Sequence, residues 1–212
     1  MIGLCLVLVG LCGLGWVGYQ YVGTNVVADQ QQASEKQRLR EEWATGNPEP
    51  GTDPSGEATT KAGIVPGTAV ALLRIPRFGD DYEVPLVQGT TPEDLSRGVG
   101  IYDNAAAPGA VGNFSIAGHR ITHGEPFSRL LELKAGDQVI VETRTEILTY
   151  VLDTAPADLT VDESAGWVLD PVPGKPGEKP TRELITLTTC QDLFHSPDRS
   201  VAFGHLESRQ KK

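Results

Sequence analysis

From residue 69 onward, the apolar residues of this chain occur in short runs that turn-forming residues separate. The chain has 24 glycines and 15 prolines and few long helical periods, a combination that favours strands joined by turns. We therefore predict a mainly β domain of about seven or eight strands with a few short helices, closed or nearly closed into a barrel. The predicted strands are 69–75, 82–87, 113–117, 138–142, 147–153, 185–190 and 201–204.

Local signals predict the elements between these runs. Thr91 precedes Pro92, which predicts a helix with a threonine cap and a proline in its first turn. Residues 138–142 and 147–153 alternate like the two arms of a hairpin. We also predict a turn at 78–81, one or two helical turns at 125–131 and a loop at 172–180.

Composition divides the chain into four segments: 1–27, 28–62, 63–208 and 209–212. The second is polar and then rich in proline and glycine, so it cannot bury a core, and we predict a polar stalk followed by a flexible linker. A short helix over its first part is the alternative to a solvated stalk. The third segment is long enough for one well-filled core, and the fourth is a basic tail.

Residues 1–27 carry no charged side chain, which predicts one transmembrane helix. Their apolar part, 1–22, is long enough to cross a bilayer, which takes about 20 residues. A cleaved signal peptide is the alternative, with residues 26–28 as a passable cleavage site. Because the apolar stretch is longer than a typical signal core and no basic residue precedes it, we favour the anchor. The formal net charge of -10 argues against nucleic acid as a partner.

One thiol lies where a predicted strand ends. Cys190 closes the run 185–190, Arg199 opens the next apolar run, and His119 ends the upstream run 113–117. A thiolate is the reactive form of cysteine, an imidazole can protonate a leaving amine, and a guanidinium can hold a developing oxyanion. These groups suffice for acyl transfer. Cys5 and Cys12 lie in the apolar amino-terminal stretch, so Cys190 has no obvious disulfide partner.

Spacing alone leaves a structural interpretation open, because cysteine–histidine catalysis has no transferable spacing. However, Leu187-Thr188-Thr189-Cys190 followed by Arg199 resembles the TLxTC…R signature of sortases. Residues 117–120 followed by 124–127 resemble the sortase histidine segment, and residues 73–76 and 84–89 resemble that family's opening strands. The chain is thus identified as a member of the sortase family over about 69–206. It is most similar to class E, while class D or another actinobacterial class stays open.

The resemblance implies a sortase-type barrel of about eight strands and three catalytic roles. Cys190 is the expected nucleophile that forms the acyl-thioester, His119 the general acid and base, and Arg199 the residue that stabilises the oxyanion and orients the substrate. Substrate contacts are expected from Thr189, from the backbone of Gln191 as a second oxyanion donor, and from His195.

The resemblance also implies the reaction and its partners. We expect cleavage of a Thr–Gly bond in an LAxTG- or LPxTG-like signal at the carboxyl end of a secreted protein. The acyl group then passes to an amine of a cell-wall precursor of the lipid II type. The catalytic domain is expected outside the cell, on a single-pass anchor in the membrane of a Gram-positive bacterium.

Other functions stay open. A hydrolysing cysteine peptidase would use the same groups, and a pilin-polymerising sortase would carry a lid, for which Asp53-Pro54 is a possible but incomplete motif. A membrane-tethered binding module with an inert Cys190 is the non-enzymatic alternative.

We expect no metal and no cofactor. The acidic residues Glu93, Asp94 and Asp103 show no recognisable ligand spacing. His119 and His123 would need a helix and further ligands to form a metal site.

Overall fold

The computed structural model describes residues 2–19, 23–45, 67–190 and 198–212. Helices α1 (Ile2–Gly18) and α2 (Thr24–Thr45) come first. The described residues then form nine strands with one short helix, α3 (Pro92–Leu95), and single 3₁₀ turns at Pro76–Phe78, Leu130–Glu132 and Gly166–Leu169. The strands are β1 (Ala69–Arg74), β2 (Glu83–Gln88), β3 (Val99–Ile101), β4 (Gly112–Gly118), β5 (Gln138–Glu142), β6 (Glu146–Leu152), β7 (Thr160–Asp162), β8 (Glu183–Cys190) and β9 (Asp198–Lys211).

Eight of these strands close into a barrel. Their order is β6-β5-β1-β2-β3-β4-β8-β9, and β9 pairs back with β6, while β7 adds to β9 as an outer strand. The β2–β3 and β4–β8 pairs are parallel, whereas all other pairs among the described strands are antiparallel. The prediction of a mainly β barrel of about eight strands is therefore confirmed.

Apolar side chains fill the inside of the barrel. Phe114 on β4 and Tyr150 on β6 are fully buried and stack with their ring centroids 6.2 Å apart. The Tyr150 hydroxyl accepts a hydrogen bond from the Gly109 backbone N–H at 2.7 Å, so its polar end is satisfied inside the core. Burying one such side chain stabilises a fold by about 1.5–3 kcal/mol.

The outer face of β4 and β8 is buried as well. Every residue of β4 is buried, which is why its sequence lacks the alternation of a half-exposed strand. The 3₁₀ turn that contains Val168 covers this face. Asn113 donates to the Val168 carbonyl at 3.1 Å, and the Thr186 hydroxyl donates to the Asn113 side-chain oxygen at 2.7 Å.

Most of the local predictions are confirmed. Pro76–Phe78 and the residues after it turn the chain between β1 and β2, and β5 and β6 form the predicted hairpin. Thr91 caps α3 in a capping box with Asp94. Residues 125–131 contain hydrogen-bonded turns that lead into a 3₁₀ turn at Leu130–Glu132. β3 and β7 were not predicted, because each spans only three residues.

The segment predicted as a polar stalk forms helix α2, and this helix contacts the barrel. Leu39 is fully buried in a cluster with Ala69, Leu72 and Val87 of β1 and β2. Arg40 forms an ion pair with Glu83 at 2.8 Å. A mostly polar sequence therefore still buries one leucine in a pocket that the sheet supplies. The remaining linker residues, 46–66, lie outside the described residues.

The predictions for the two ends of the chain have different outcomes. Within the described part of the chain, no helix is both long and apolar enough to cross a membrane, so the anchor over 1–27 stays a prediction. At the other end, the predicted basic tail is the last part of β9, where Lys211 pairs with Glu146. Arg209 forms an ion pair with Glu146 at 3.1 Å and Lys212 with Glu142 at 2.9 Å.

Leu39→Ala should release α2 from the barrel. A buried leucine-to-alanine change costs about 2–5 kcal/mol, which is enough to undock a helix held by few apolar contacts. We expect faster trypsin cleavage after Arg38 and Arg40 in limited proteolysis. Val27→Ala, at a position 46% exposed on the same helix, is the control. Equal cleavage rates in Leu39→Ala and the native chain would show that α2 does not depend on this contact.

Candidate active site

The ends of three neighbouring strands bring the predicted catalytic positions together. In the parallel β4–β8 pair, Gly118 lies opposite Thr189, so His119 and Cys190 are the next positions on each strand. In the antiparallel β8–β9 pair, Cys190 lies opposite Arg199. Residues paired in this way have Cα atoms about 4.5–5.5 Å apart. Positions far apart in sequence thus meet at one edge of the barrel.

Threonine hydroxyls fasten the end of β8 to its neighbours. Thr189 is buried, and its hydroxyl donates to the Gly118 carbonyl at 2.8 Å. Thr188 donates to the Ile116 carbonyl at 3.2 Å and lies 3.1 Å from the Tyr102 hydroxyl. Thr189, predicted to contact substrate, therefore uses its hydroxyl to hold the backbone that precedes His119.

His119 begins a tight turn that closes back on itself. The Phe127 N–H donates to the His119 carbonyl at 2.9 Å. The Phe127 ring packs on Gly118 so closely that a Cβ there would lie 2.6 Å from the ring. Only glycine leaves room for this contact. The packing of Phe127 on the strand end therefore fixes where the His119 backbone leaves β4.

The His119 imidazole lies in a dry environment. Its ring stacks on that of His123, with centroids 4.8 Å apart and planes 26° from parallel. Its Nε2 is buried and has no hydrogen-bond partner among the described residues. Burial, with a smaller contribution from His123, lowers the pKa of His119 to about 4. The imidazole is therefore neutral at pH 7 in this state.

Arg199 has a carboxylate partner that the sequence did not reveal. Its guanidinium forms an ion pair with Glu163 at 3.0 Å and donates to the Asp198 carbonyl at 3.2 Å. Glu163 directly follows β7, whose Val161 pairs with Arg199. The three-residue strand β7, which brings Glu163 close, carried no signal long enough to predict.

For several residues the predicted role in the site remains a prediction. Gln191 and His195 lie outside the described residues, and so does the possible Asp53-Pro54 lid motif. For Cys190 the structure describes the backbone position in β8. Cys12 is an exposed free cysteine on α1.

Of the acidic residues weighed as metal ligands, Asp94 takes part in the cap of helix α3. The Asp94 carboxylate accepts from the Thr91 N–H at 3.0 Å in the capping box. In the described ranges, no group of three or more His, Cys, Asp or Glu side chains is placed to hold a metal ion.

The arrangement has the parts of an acyl-transfer site. A thiol position is flanked by a half-buried imidazole on one side and by a guanidinium on the other. The guanidinium can neutralise an oxyanion, and the imidazole can move a proton between thiol, leaving amine and incoming amine.

Comparison with known proteins agrees with this chemistry. A family model described as Sortase domain matches residues 73–207. Sortase SrtE1 of Streptomyces coelicolor is 36% identical across 97% of this chain, which spans 56% of that relative's length. Sortase D of Bacillus subtilis is 32% identical over 96% of both chains. The structure of sortase E from Streptomyces avermitilis is similar with a TM-score of 0.62 and 38% identity, covering 69% of this chain and 93% of that one.

The burial of His119 has a measurable consequence. Its pKa is lowered from the ordinary 6.5 to about 4, so the unfolded chain binds a proton that the folded chain excludes. Folding stability should therefore be complete above about pH 6.5 and decrease as the pH falls toward 4. An NMR titration of the histidines should give a midpoint near pH 4 for His119. His119→Gln should remove this part of the pH dependence in urea unfolding. A midpoint near 6.5 would contradict the burial.

Proposed function

The chain belongs to the sortase family, a family of cysteine transpeptidases, and we propose that it is a membrane-anchored sortase. It cleaves a Thr–Gly bond in the sorting signal of a secreted protein and joins the new acyl end to a cell-wall amine. The observation that supports this best is the β4–β8–β9 register, which gathers His119, Cys190 and Arg199 at one barrel edge.

In the first half-reaction, the Cys190 thiolate attacks the threonine carbonyl carbon. The carbonyl oxygen becomes an oxyanion, and the Arg199 guanidinium stabilises that charge. The tetrahedral intermediate collapses, the C–N bond to glycine breaks, and His119 gives its proton to the departing amine. The products are a thioester on Cys190 and a peptide with a free amino group.

In the second half-reaction, an amine attacks the thioester carbonyl. His119, now neutral, takes a proton from the attacking nitrogen as the new amide forms. The C–S bond breaks, and the Cys190 thiolate leaves. Arg199 again stabilises the oxyanion. The enzyme thereby returns to its starting state, and each step uses only these three side chains and the two substrates.

The environment of His119 sets the fraction of enzyme that is ready to react. Acylation needs a thiolate and an imidazolium, whereas burial favours the neutral imidazole. With the pKa of His119 lowered to about 4, the charged pair is the minor form at pH 7. The same dry surroundings strengthen the attraction between thiolate and imidazolium once both have formed.

The proposed sorting signal and acceptor amine are those expected for the family. Similarity to sortase E of Streptomyces favours an LAxTG-like signal over LPxTG. The acceptor is an amine of the lipid II type. In this proposal the apolar part of the first segment, residues 1–22, crosses the membrane, and the catalytic domain lies outside the cell, where secreted substrates emerge. Gln191 and His195 contribute to the substrate site.

Substitution of the three catalytic residues tests the mechanism. Cys190→Ala should abolish turnover of an LAxTG peptide. His119→Ala and Arg199→Ala should lower kcat by about a hundredfold or more, because each loses a contact made in the transition state. Matched controls are Cys12→Ala on α1 and His205→Ala, whose ring pairs with Asp153 at 2.8 Å. Near-native turnover in any of the three would remove that residue from the mechanism.

Product analysis tests the reaction class. The full chain in detergent should convert LAxTG peptide and a glycine-based amine into the ligated product, with LPxTG peptide a poorer substrate. Mass spectrometry then distinguishes the ligated product from the hydrolysed one. Carboxylic acid as the main product, even with excess amine, would indicate a hydrolysing peptidase. Failure of iodoacetamide to label Cys190 in the folded chain would indicate a binding module with an inert thiol.

A further inference from the structure

The tip of the turn after His119 has a strained backbone. His123, Gly124 and Glu125 all have positive φ, at 57°, 79° and 47°. For residues other than glycine this conformation costs roughly 1–2 kcal/mol each. Such a conformation persists only where surrounding contacts hold it. The contacts that hold this tip are therefore part of what places His123 on His119.

Two hydrogen bonds hold the base of this turn. The Phe127 N–H donates to the His119 carbonyl at 2.9 Å, and the Tyr82 hydroxyl donates to the Pro126 carbonyl at 2.5 Å. Both bonds lie outside the three positions with positive φ. At the tip, the backbone bonds are local to the turn: the Glu125 N–H donates to the Thr122 carbonyl at 3.2 Å, and the Ser128 N–H donates to the Glu125 carbonyl at 3.0 Å.

Helix α2 supplies the remaining contacts. The Asn25 side-chain oxygen accepts from the Gly124 N–H at 2.9 Å, and its amide nitrogen donates to the Glu125 carboxylate at 2.6 Å. Two turns further along the helix, Gln32 donates to the His123 carbonyl at 3.4 Å. Asn25 thus uses both ends of one amide to hold two adjacent residues of the tip.

The packing of α2 on the tip is close. Ala28 is 1% exposed, and a Cβ added to Gly124 would lie 3.4 Å from the Ala28 Cβ and 2.6 Å from the Gln32 amide nitrogen. A small residue on the helix therefore faces a glycine on the turn. This contact is independent of the hydrogen bonds and fixes the same spacing between α2 and the tip.

We propose that Asn25 is a positioning residue for the general acid. By fastening the tip of the turn to α2, it holds the His123 ring against the His119 ring and keeps the imidazole oriented toward the reacting atoms. The inference rests on the proposed catalytic role of His119. It assigns to a helix outside the barrel a part in building the site.

The two hydrogen bonds of Asn25 to Gly124 and Glu125 form a clamp on the turn. Its removal should lower the rate of the chemical step more than the affinity for substrate. In the full chain in detergent, Asn25→Ala should lower kcat by roughly ten- to a hundredfold with KM changed less than about twofold, because a shift of the acid near 1 Å has that effect. Gln31→Ala, an exposed position on the same helix, is the matched control and should keep native kcat. Native kcat in Asn25→Ala overturns the proposal.

A second measurement needs no substrate and isolates the geometry. The chain has four histidines, so carbon-13 labelling of the imidazole gives four resolvable titrations. The charged or titratable groups around His119 are Arg120, His123 and Glu125 on the turn itself, Asp29 on α2, and the positions Cys190 and Arg199 at the neighbouring ends of β8 and β9. Without the clamp, His119 loses burial and the His123 contact, so its titration midpoint should rise toward 6.5. An unmoved midpoint overturns the proposal, even if kcat falls.

A double-mutant comparison tests the route from Asn25 to His119. If Asn25 acts through His123, then Asn25→Ala should change kcat by less than about twofold in a His123→Ala background. A full additional loss there overturns the proposal. Absence of ligated product from the native chain would refute the proposed function instead, while the histidine titration would still test the clamp.

Discussion

The pairing of β8 with β4 on one side and β9 on the other is the constraint on which the rest of the structure depends. β8 runs parallel to β4 and antiparallel to β9, and β9 then closes the barrel by pairing with β6. Both faces of this region are buried, so a slip of one residue would move core side chains to the wrong face. The same register determines which residues lie side by side where β4 and β8 end and β9 begins. The stability of the barrel and the composition of the site therefore have one cause.

The polar side chains of this region serve the register and the site together. Thr186 bonds to Asn113 under the 3₁₀ turn, and Thr189 bonds to the Gly118 carbonyl. A buried hydroxyl is stable only when it has a partner, so each bond selects one alignment of β8 on β4. At the strand ends, burial then changes chemistry. It lowers the pKa of His119 and strengthens the interaction of any charge that forms beside it.

Strong local patterns made much of this fold predictable. Seven strands, the β5–β6 hairpin and the Thr91 cap follow from apolar runs, turn residues and a capping signature. β3 and β7 were missed because three residues carry no period. Helix α2 was expected as a polar stalk because its buried face consists of Ala28, Gln32 and Leu39, too few apolar residues to mark a docked helix. Its contact with the barrel depends on a complementary surface that only the folded sheet provides.

The sequence by itself determined the β class, because that class depends on residue order and local pattern, and its resemblance to sortases predicted the roles of Cys190, His119 and Arg199. The tertiary structure alone decided which groups surround them. Glu163 reaches Arg199 through β7, His123 stacks on His119, and Asn25 fastens the turn that carries His123. These contacts join residues far apart in the chain or set the rotation of one ring on another. Local sequence does not encode such relations, since they arise only when the strands and helices pack.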